Sequence, residues 1–415
     1  MAVRADSDPR PLRPAPVNVA ELPIGRRVAH WRVRRRMTQQ ILADRLGRSK
    51  SWVDKVERGV RALDRLSVIR EVAEALRVEP AVLLGRSLPL ATEGDTAESQ
   101  ADAIRAALAR YDFTQRGHSP GPVTPVAELS RRVGHAWLTY QHAHHPQLLR
   151  ILPGLLGDAQ RTHTAQPTHT VDLLVQVYRV TSSVLVKLGQ ADIAWLAADR
   201  AVAVAADDPL LAAVAAISLA QSLRAFRGDR MAMAVALAAA HSITTPNPDE
   251  TPPGELSVLG TLLLEAALAA ASRGDPCGVH ELTDQAAEVA ELVGDGHDHH
   301  WTCFGPAAVE LARVTAAVDL GDAADAITRH EKITRWDQWP RLPAERRATH
   351  LIDAAQAYLQ VGDLAAAGRS LVDADRIAPA ETRSRPAVRT VIAAAARGGP
   401  ATAGVARLAS ILGVT

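Results

Sequence analysis

Between Thr38 and Gly59 the chain sets short apolar clusters against polar caps. Ile41, Leu42 and Leu46 recur at helical spacing, and Val53 and Val56 follow after a break. The pattern predicts a helix from about Gln39 to Leu46 with Thr38 as N-cap. Gly47 supplies a tight turn, and Ser49 caps a second helix from about Lys50 to Arg58 that Gly59 ends. Ala43 lies four residues before Gly47 and Val53 six after it. Two helices crossing steeply over a short turn need a small residue at the contact and an aliphatic anchor in the second helix. Ile41, Leu42, Leu46, Val53 and Val56 are the expected shared core. The whole stretch 21–86 reads as short helices separated by turn signals, an all-α module.

Residues 1–20 are Pro-rich and polar, a composition expected to be disordered. Residues 87–125 read as a linker region with a short helix, bounded by the polar "RSLPLATEGDTAESQ" and by "RGHSPGPVTP". From 126 to 415 the pattern is almost continuously helical, and one phrase repeats: an apolar helix end, a Gly-Asp or relative, then an Ala-rich helix. The glycines are Gly189, Gly228, Gly274, Gly321, Gly362 and a weak last copy at Gly398. They lie 39, 46, 47, 41 and 36 residues apart, which suits a two-helix unit with variable loops. Gly is expected to end each first helix in a left-handed cap, and Asp to cap the second. In the copy at 358–379, Tyr358, Gly362, Asp363, Ala367, Ala374 and Pro379 stand where a tetratricopeptide repeat places its signature residues. The region therefore resembles a tetratricopeptide (TPR-like) α-solenoid, with an irregular helical bundle as the alternative.

Composition adds three constraints. Apolar residues make up 47% of the chain but aromatics only 3%, which favours closely packed Ala-rich helices. Two cysteines, Cys277 and Cys303, make no disulfide framework, and residues 1–20 contain no apolar signal segment, so a cytoplasmic setting is expected. The longest apolar runs, "AVAVAADDPLLAAVAAISLA" and "VLGTLLLEAALAAA", are interrupted by charge, and no membrane association is expected. The net charge of +1 hides an asymmetry: residues 21–86 hold 16 Arg and Lys against 8 Asp and Glu. A basic module joined to a mildly acidic remainder points to nucleic-acid contact at one end.

The conjunction "TQQILADRLGRSKSWVDKVERG" resembles the Cro/cI-type helix-turn-helix domain of the Xre family over about residues 24–85. "IGRRVAHWRVRRR" would be the preceding helix, and "DRLSVIREVAEALRVEPAVLLG" the fourth and fifth of a lambda-repressor-like fold. The resemblance implies that the second helix of the pair enters the major groove of double-stranded operator DNA. Its base-reading residues would be Lys50, Ser51, Asp54 and Lys55. Lys50 and Lys55 can donate to guanine, Ser51 can donate or accept, and Asp54 can accept from cytosine. Thr38, Gln39, Arg36, Arg48, Arg58 and Arg61 are the expected phosphate contacts, with Arg34 and Arg35 as further candidates. Trp52 either packs on sugar or a thymine methyl, or closes the gap to helix four. Arg32 and Glu57 stand where the family often has a structural ion pair.

Elsewhere the chemistry is sparse. There is no phosphate loop, HExxH or GxSxG, so neither catalysis nor a cofactor is expected. His297, Asp298, His299, His300 and Cys303 cluster in one loop, and "YQHAHHP" is a smaller case, but neither spacing matches a closed metal-ligand set. "WTCFGPAAVELARVTAAVDLGDA" and "LPAERRATHLIDAAQAY" resemble the C-terminal half of long Xre–TPR regulators of actinomycetes. Peptide-pheromone regulators of Gram-positive bacteria, a looser resemblance, often clamp a peptide with Asn; here only Asn247 is available in the body. Gln176, Gln221, Gln356, Arg179, Arg224 and Arg313 are possible substitutes. The expectation is a transcription regulator that acts as a homodimer and senses a peptide or small-molecule effector. The alternative is a DNA-localised protein-interaction scaffold.

Overall fold

The structure, a computed structural model, describes residues 23–61, 63, 66–76, 78, 83, 93–109, 122–245, 250–397 and 403–414. The Pro-rich tail, the fifth helix of the basic module and the copy at Gly398 lie largely or wholly outside these residues. Among the described residues every regular element is a helix. The chain divides into two compact units, 1–93 and 94–415.

In the first unit, α1 (Ile24–Arg34), α2 (Gln39–Arg45), α3 (Lys50–Glu57) and α4 (Leu66–Leu76) enclose a core of Val28, Leu42, Ala43, Val53, Val56, Ile69, Val72 and Leu76. Thr38 Oγ1 accepts from Ile41 N at 3.2 Å, and Ser49 Oγ accepts from Trp52 N at 3.2 Å, so both helices are capped by their own sequence. Gly47 and Gly59 take φ of 58° and 75°, the left-handed region where glycine is unstrained. A Cβ at Gly25 would sit 2.1 Å from Val56 O, so α1 can lie against the end of α3 only because Gly25 has no side chain. One core expectation fails. Ile41 is 42% exposed, because the inward face of α2 passes through Leu42 and Ala43 and leaves Ile41 on its flank.

The second unit opens with α5 (Glu93–Leu108). Within the stretch read as a linker, this helix packs Ala101, Ile104, Ala107 and Leu108 into the core of the helical body. Antiparallel pairs follow: α6 (Val126–Gln141) with α7 (His145–Ala165), α8 (Val171–Lys187) with α9 (Ala191–Ala205), and α10 (Pro209–Ala225) with α11 (Asp229–Ile243). Next come α12 (Pro253–Ser272) with α13 (Pro276–Val293), α14 (Pro306–Leu320) with α15 (Ala323–Ile333), and α16 (Ala344–Gln360) with α17 (Leu364–Ile377). Three shorter helices, α18 (Pro379–Arg383), α19 (Pro386–Arg397) and α20 (Ala403–Leu412), end the chain. Gly189, Gly274, Gly321 and Gly362 all have positive φ, and Asp275, Asp322 and Asp363 each cap the helix that follows. Gly228 departs from this scheme. Arg227 takes the left-handed conformation with φ 60°, and Gly228 becomes the N-cap, where a Cβ would press on Leu223 O at 3.2 Å.

The first helices of successive pairs lie side by side in the order α6, α8, α10, α12, α14, α16, and α16 packs back against α6. The row therefore closes into a ring. By length and composition α12 could cross a membrane, although Glu255 and Glu265 lie within it. Its apolar character has a local cause: α10, α11, α13 and α14 all pack around it, so it has almost no wet face.

Candidate functional site

Two sites emerge, one in each unit. In the first, α3 is divided lengthwise. Val53, Val56 and Glu57 are buried, while Lys50, Ser51 and Lys55 are exposed and Asp54 is half-exposed. Neither lysine has a carboxylate within 4 Å among the described residues, so both retain their full hydrogen-bonding capacity. Asp54 is less free: Arg58 Nε lies 3.3 Å from it, one turn on, and pairing with DNA would separate the two.

Behind α3, Glu57 organises three neighbours. Arg32 Nε and Nη2 donate to its two oxygens at 2.5 and 2.9 Å, and Arg32 Nη1 donates to Met37 O at 2.8 Å. Gln39 Nε2 also donates to Glu57, at 2.9 Å. Gln39 is thus tied by one amide hydrogen to the protein and has its other amide hydrogen to donate at the start of α2. The Thr38 hydroxyl accepts the cap bond and keeps its own hydrogen to donate. Trp52 is half-buried against the domain core, and the guanidiniums of Arg48 and Arg61 lie 5.7 and 6.0 Å from its ring centroid. The indole thus carries two of the phosphate candidates. Arg36 is exposed with φ 54°, directly after α1.

The second site is the interior of the ring, a cavity of about 430 Å³. Arg179 on α8 is 2% exposed, stands 5.2 Å over the Trp137 ring and donates through Nη1 to Gln176 Oε1 and His300 O, each at 2.8 Å. Its Nε has no partner, and burial pulls its pKa down to about 9, so it stays charged at neutral pH. Gln221 and Arg224 also face the cavity, both bonded to Glu265, whereas Arg313 pairs with Glu310 and Asp284 outside it and Gln356 is exposed.

The His-rich loop forms one wall. Trp301 stacks on Trp137 with centroids 5.9 Å apart, and Phe304 is buried over Gly260. His300, Trp301 and Cys303 all have positive φ without being glycine, so the loop is held under strain. Asp298 accepts from Cys303 N at 2.9 Å, and Arg346 donates to Thr302 O. Burial, with Asp298 beside it, pushes the Cys303 thiol up to about 12 and keeps it protonated. Among the described residues no three His, Cys, Asp or Glu are grouped to hold a metal.

Sequence reasoning missed the network that closes the ring. Glu381, fully buried, accepts from Lys187 at 3.2 Å and Arg385 at 2.8 Å, and Lys187 also pairs with Glu345. His145 Nε2 lies 3.1 Å from the same carboxylate. No spacing rule links residues 194 apart, and isolated charges on Ala-rich helices were the only signal. Asp353 was missed likewise; it accepts from Thr315 Oγ1 at 2.7 Å and faces the cavity.

Comparison with known proteins concerns the first unit. Residues 23–84 match the family model of the helix-turn-helix domain, so the basic module is a helix-turn-helix domain of the kind found in DNA-binding regulators. No curated protein and no solved structure matches the chain.

Proposed function

We propose that the protein is a cytoplasmic transcription regulator of the Xre type, whose TPR-like body receives a small effector and joins two copies. One observation carries the DNA-binding part: the exposed face of α3 presents Lys50, Ser51 and Lys55 with their donors uncommitted, inside a matched helix-turn-helix domain. Lys50 and Lys55 read base edges, Ser51 and Asp54 adjust the choice, and Thr38, Gln39, Arg36, Arg48, Arg58 and Arg61 set the register on phosphates. The effector part is supported by a cavity whose volume lies within the roughly 300–1,000 Å³ of ordinary small-molecule sites. Dimerisation follows from mechanics, since one short reader helix contacts only a half-site.

Binding-site selection from random duplexes tests the reading. Wild-type protein should enrich a two-fold motif, and Lys50→Ala and Lys55→Ala should each relax it at one base position by about 1–3 kcal/mol. An unchanged motif for both variants would sink the base-reading assignment. Sedimentation of the operator complex reports whether two copies bind.

A further inference from the structure

The walls of the ring cavity carry more charge than they neutralise. Lys187 and Arg385 are tied to Glu381, and Arg224 to Glu265. Two cations and two carboxylates then remain. Arg179 and Arg346 have no carboxylate within 4 Å among the described residues; both donate to neutral carbonyls of the loop, His300 O and Thr302 O. Both guanidiniums thus reach the same loop, whose Trp301 stacks on Trp137, and Arg179 also stands over the Trp137 ring. Asp353 and Asp319 have no cation within the same distance. Asp353 holds only the Thr315 hydroxyl, and the cations nearest it are the ones committed to Glu381.

Arg346 and Asp353 are seven residues apart on α16, which returns them to one face of the helix about 10 Å apart along its axis. Arg346 and Asp353 therefore stand at different levels of one cavity, with the Trp137–Trp301 stack beside the loop that Arg346 holds. A neutral carbonyl is a weaker partner for a guanidinium than an oxyanion. A half-buried carboxylate such as Asp353, with one hydroxyl partner, gains from a cation in the same way.

We propose that the ring cavity receives a small zwitterion, its carboxylate on Arg179 and Arg346 and its ammonium on Asp353 and Thr315. This ligand class rests on the reading of the body as an effector-binding domain. It distinguishes the site from one for a dicarboxylate or a polyamine, each of which leaves one pair of surplus charges unanswered, and from one for a neutral metabolite, which leaves both. Burial raises the Asp353 carboxyl to about 6, which still leaves it mostly ionised at neutral pH and able to pair with an ammonium.

The test uses the full chain and ω-amino acids of increasing length as probes, with α,ω-dicarboxylates and α,ω-diamines of matched length. Thermal unfolding and titration calorimetry are the readouts. One length in the ω-amino acid series, the one that spans from the guanidiniums to Asp353, is expected to raise Tm by roughly 2–4 °C at saturation. Matched dicarboxylates and diamines should not. Arg346→Met and Asp353→Asn should each weaken binding on the order of tenfold or more. The inference is overturned if no ω-amino acid shifts Tm, if a dicarboxylate or diamine does so equally, or if Asp353→Asn binds like the wild type. Affinity for the selected DNA site is measured separately with and without the probe. Stabilisation that leaves DNA binding unchanged removes the effector reading but not the ligand class. Release of DNA by a compound that is not a zwitterion does the reverse.

Discussion

Arg32 and Glu57, 25 residues apart, meet fork to carboxylate with both oxygens engaged at 2.5 and 2.9 Å. The pair bolts α1 to the end of α3 and, through Gln39, to the start of α2. Glu57→Ala strands a mostly buried guanidinium and should cost about 2–3 kcal/mol. Urea denaturation monitored on the first unit checks this, and DNA affinity should fall for every sequence together. A change below about 0.5 kcal/mol, the ordinary scatter of surface substitutions, would show that the pair is incidental.

Glu381 binds the two ends of the ring to each other. Burial alone would raise its pKa, but Lys187, His145 and Arg385 outweigh this and hold it well below the ordinary carboxylate range. A carboxyl depressed in the folded state contributes stability that is present above its unfolded pKa and is lost as pH falls through the folded one. Acid should therefore loosen the ring. Glu381→Gln should cost about 3–5 kcal/mol at pH 7 by leaving Lys187 and Arg385 without their shared anion. The loss should shrink when thermal unfolding is repeated well below pH 4.

Asp353 has the opposite sign. Burial, its largest influence, lifts the pKa to about 6 from an ordinary 3.8, against the pull of Thr315 and Arg385. The folded state then holds a proton that the unfolded chain releases, so this group lowers stability as pH rises through that window. Asp353→Asn should stabilise the protein by about 1–2 kcal/mol at pH 7.5, the partial exposure of Asp353 screening part of the full effect. At pH 3.5 the two proteins should melt alike. Equal Tm values at pH 7.5 would remove the case for a costly ionised carboxylate.

Gly260 on α12 faces the Phe304 ring so closely that a Cβ would sit 1.9 Å from Cζ. Gly260→Ala must displace Phe304 and with it the strained wall that carries Trp301. About 1–3 kcal/mol of destabilisation is expected from overpacking, with a shift in the tryptophan emission from the Trp137–Trp301 stack. Unaltered emission together with unaltered Tm would show that the loop adapts freely.

Local physical chemistry explains how much of this was legible in the chain. Thr38, Gly47, Ser49 and Gly59 act within four residues of themselves, so their caps and turns are written in the sequence. The same holds for Gly274-Asp275, Gly321-Asp322 and Gly362-Asp363. Gly228 shows the limit: the same dipeptide shifts by one residue when Arg227 accepts the left-handed turn. Ile41 shows another, since helical spacing alone does not say which flank of a short helix the core will meet.

Sequence by itself determined an all-helical chain, a basic helix-turn-helix module and a string of helix pairs, because caps, turn glycines and apolar periodicity act over a few residues. Tertiary structure alone decided that α16 returns to α6, that Lys187 finds Glu381, and that Arg179, Arg346 and Asp353 share one cavity. Those contacts depend on small rotations between successive pairs accumulating into a closed ring, and no local pattern encodes that sum.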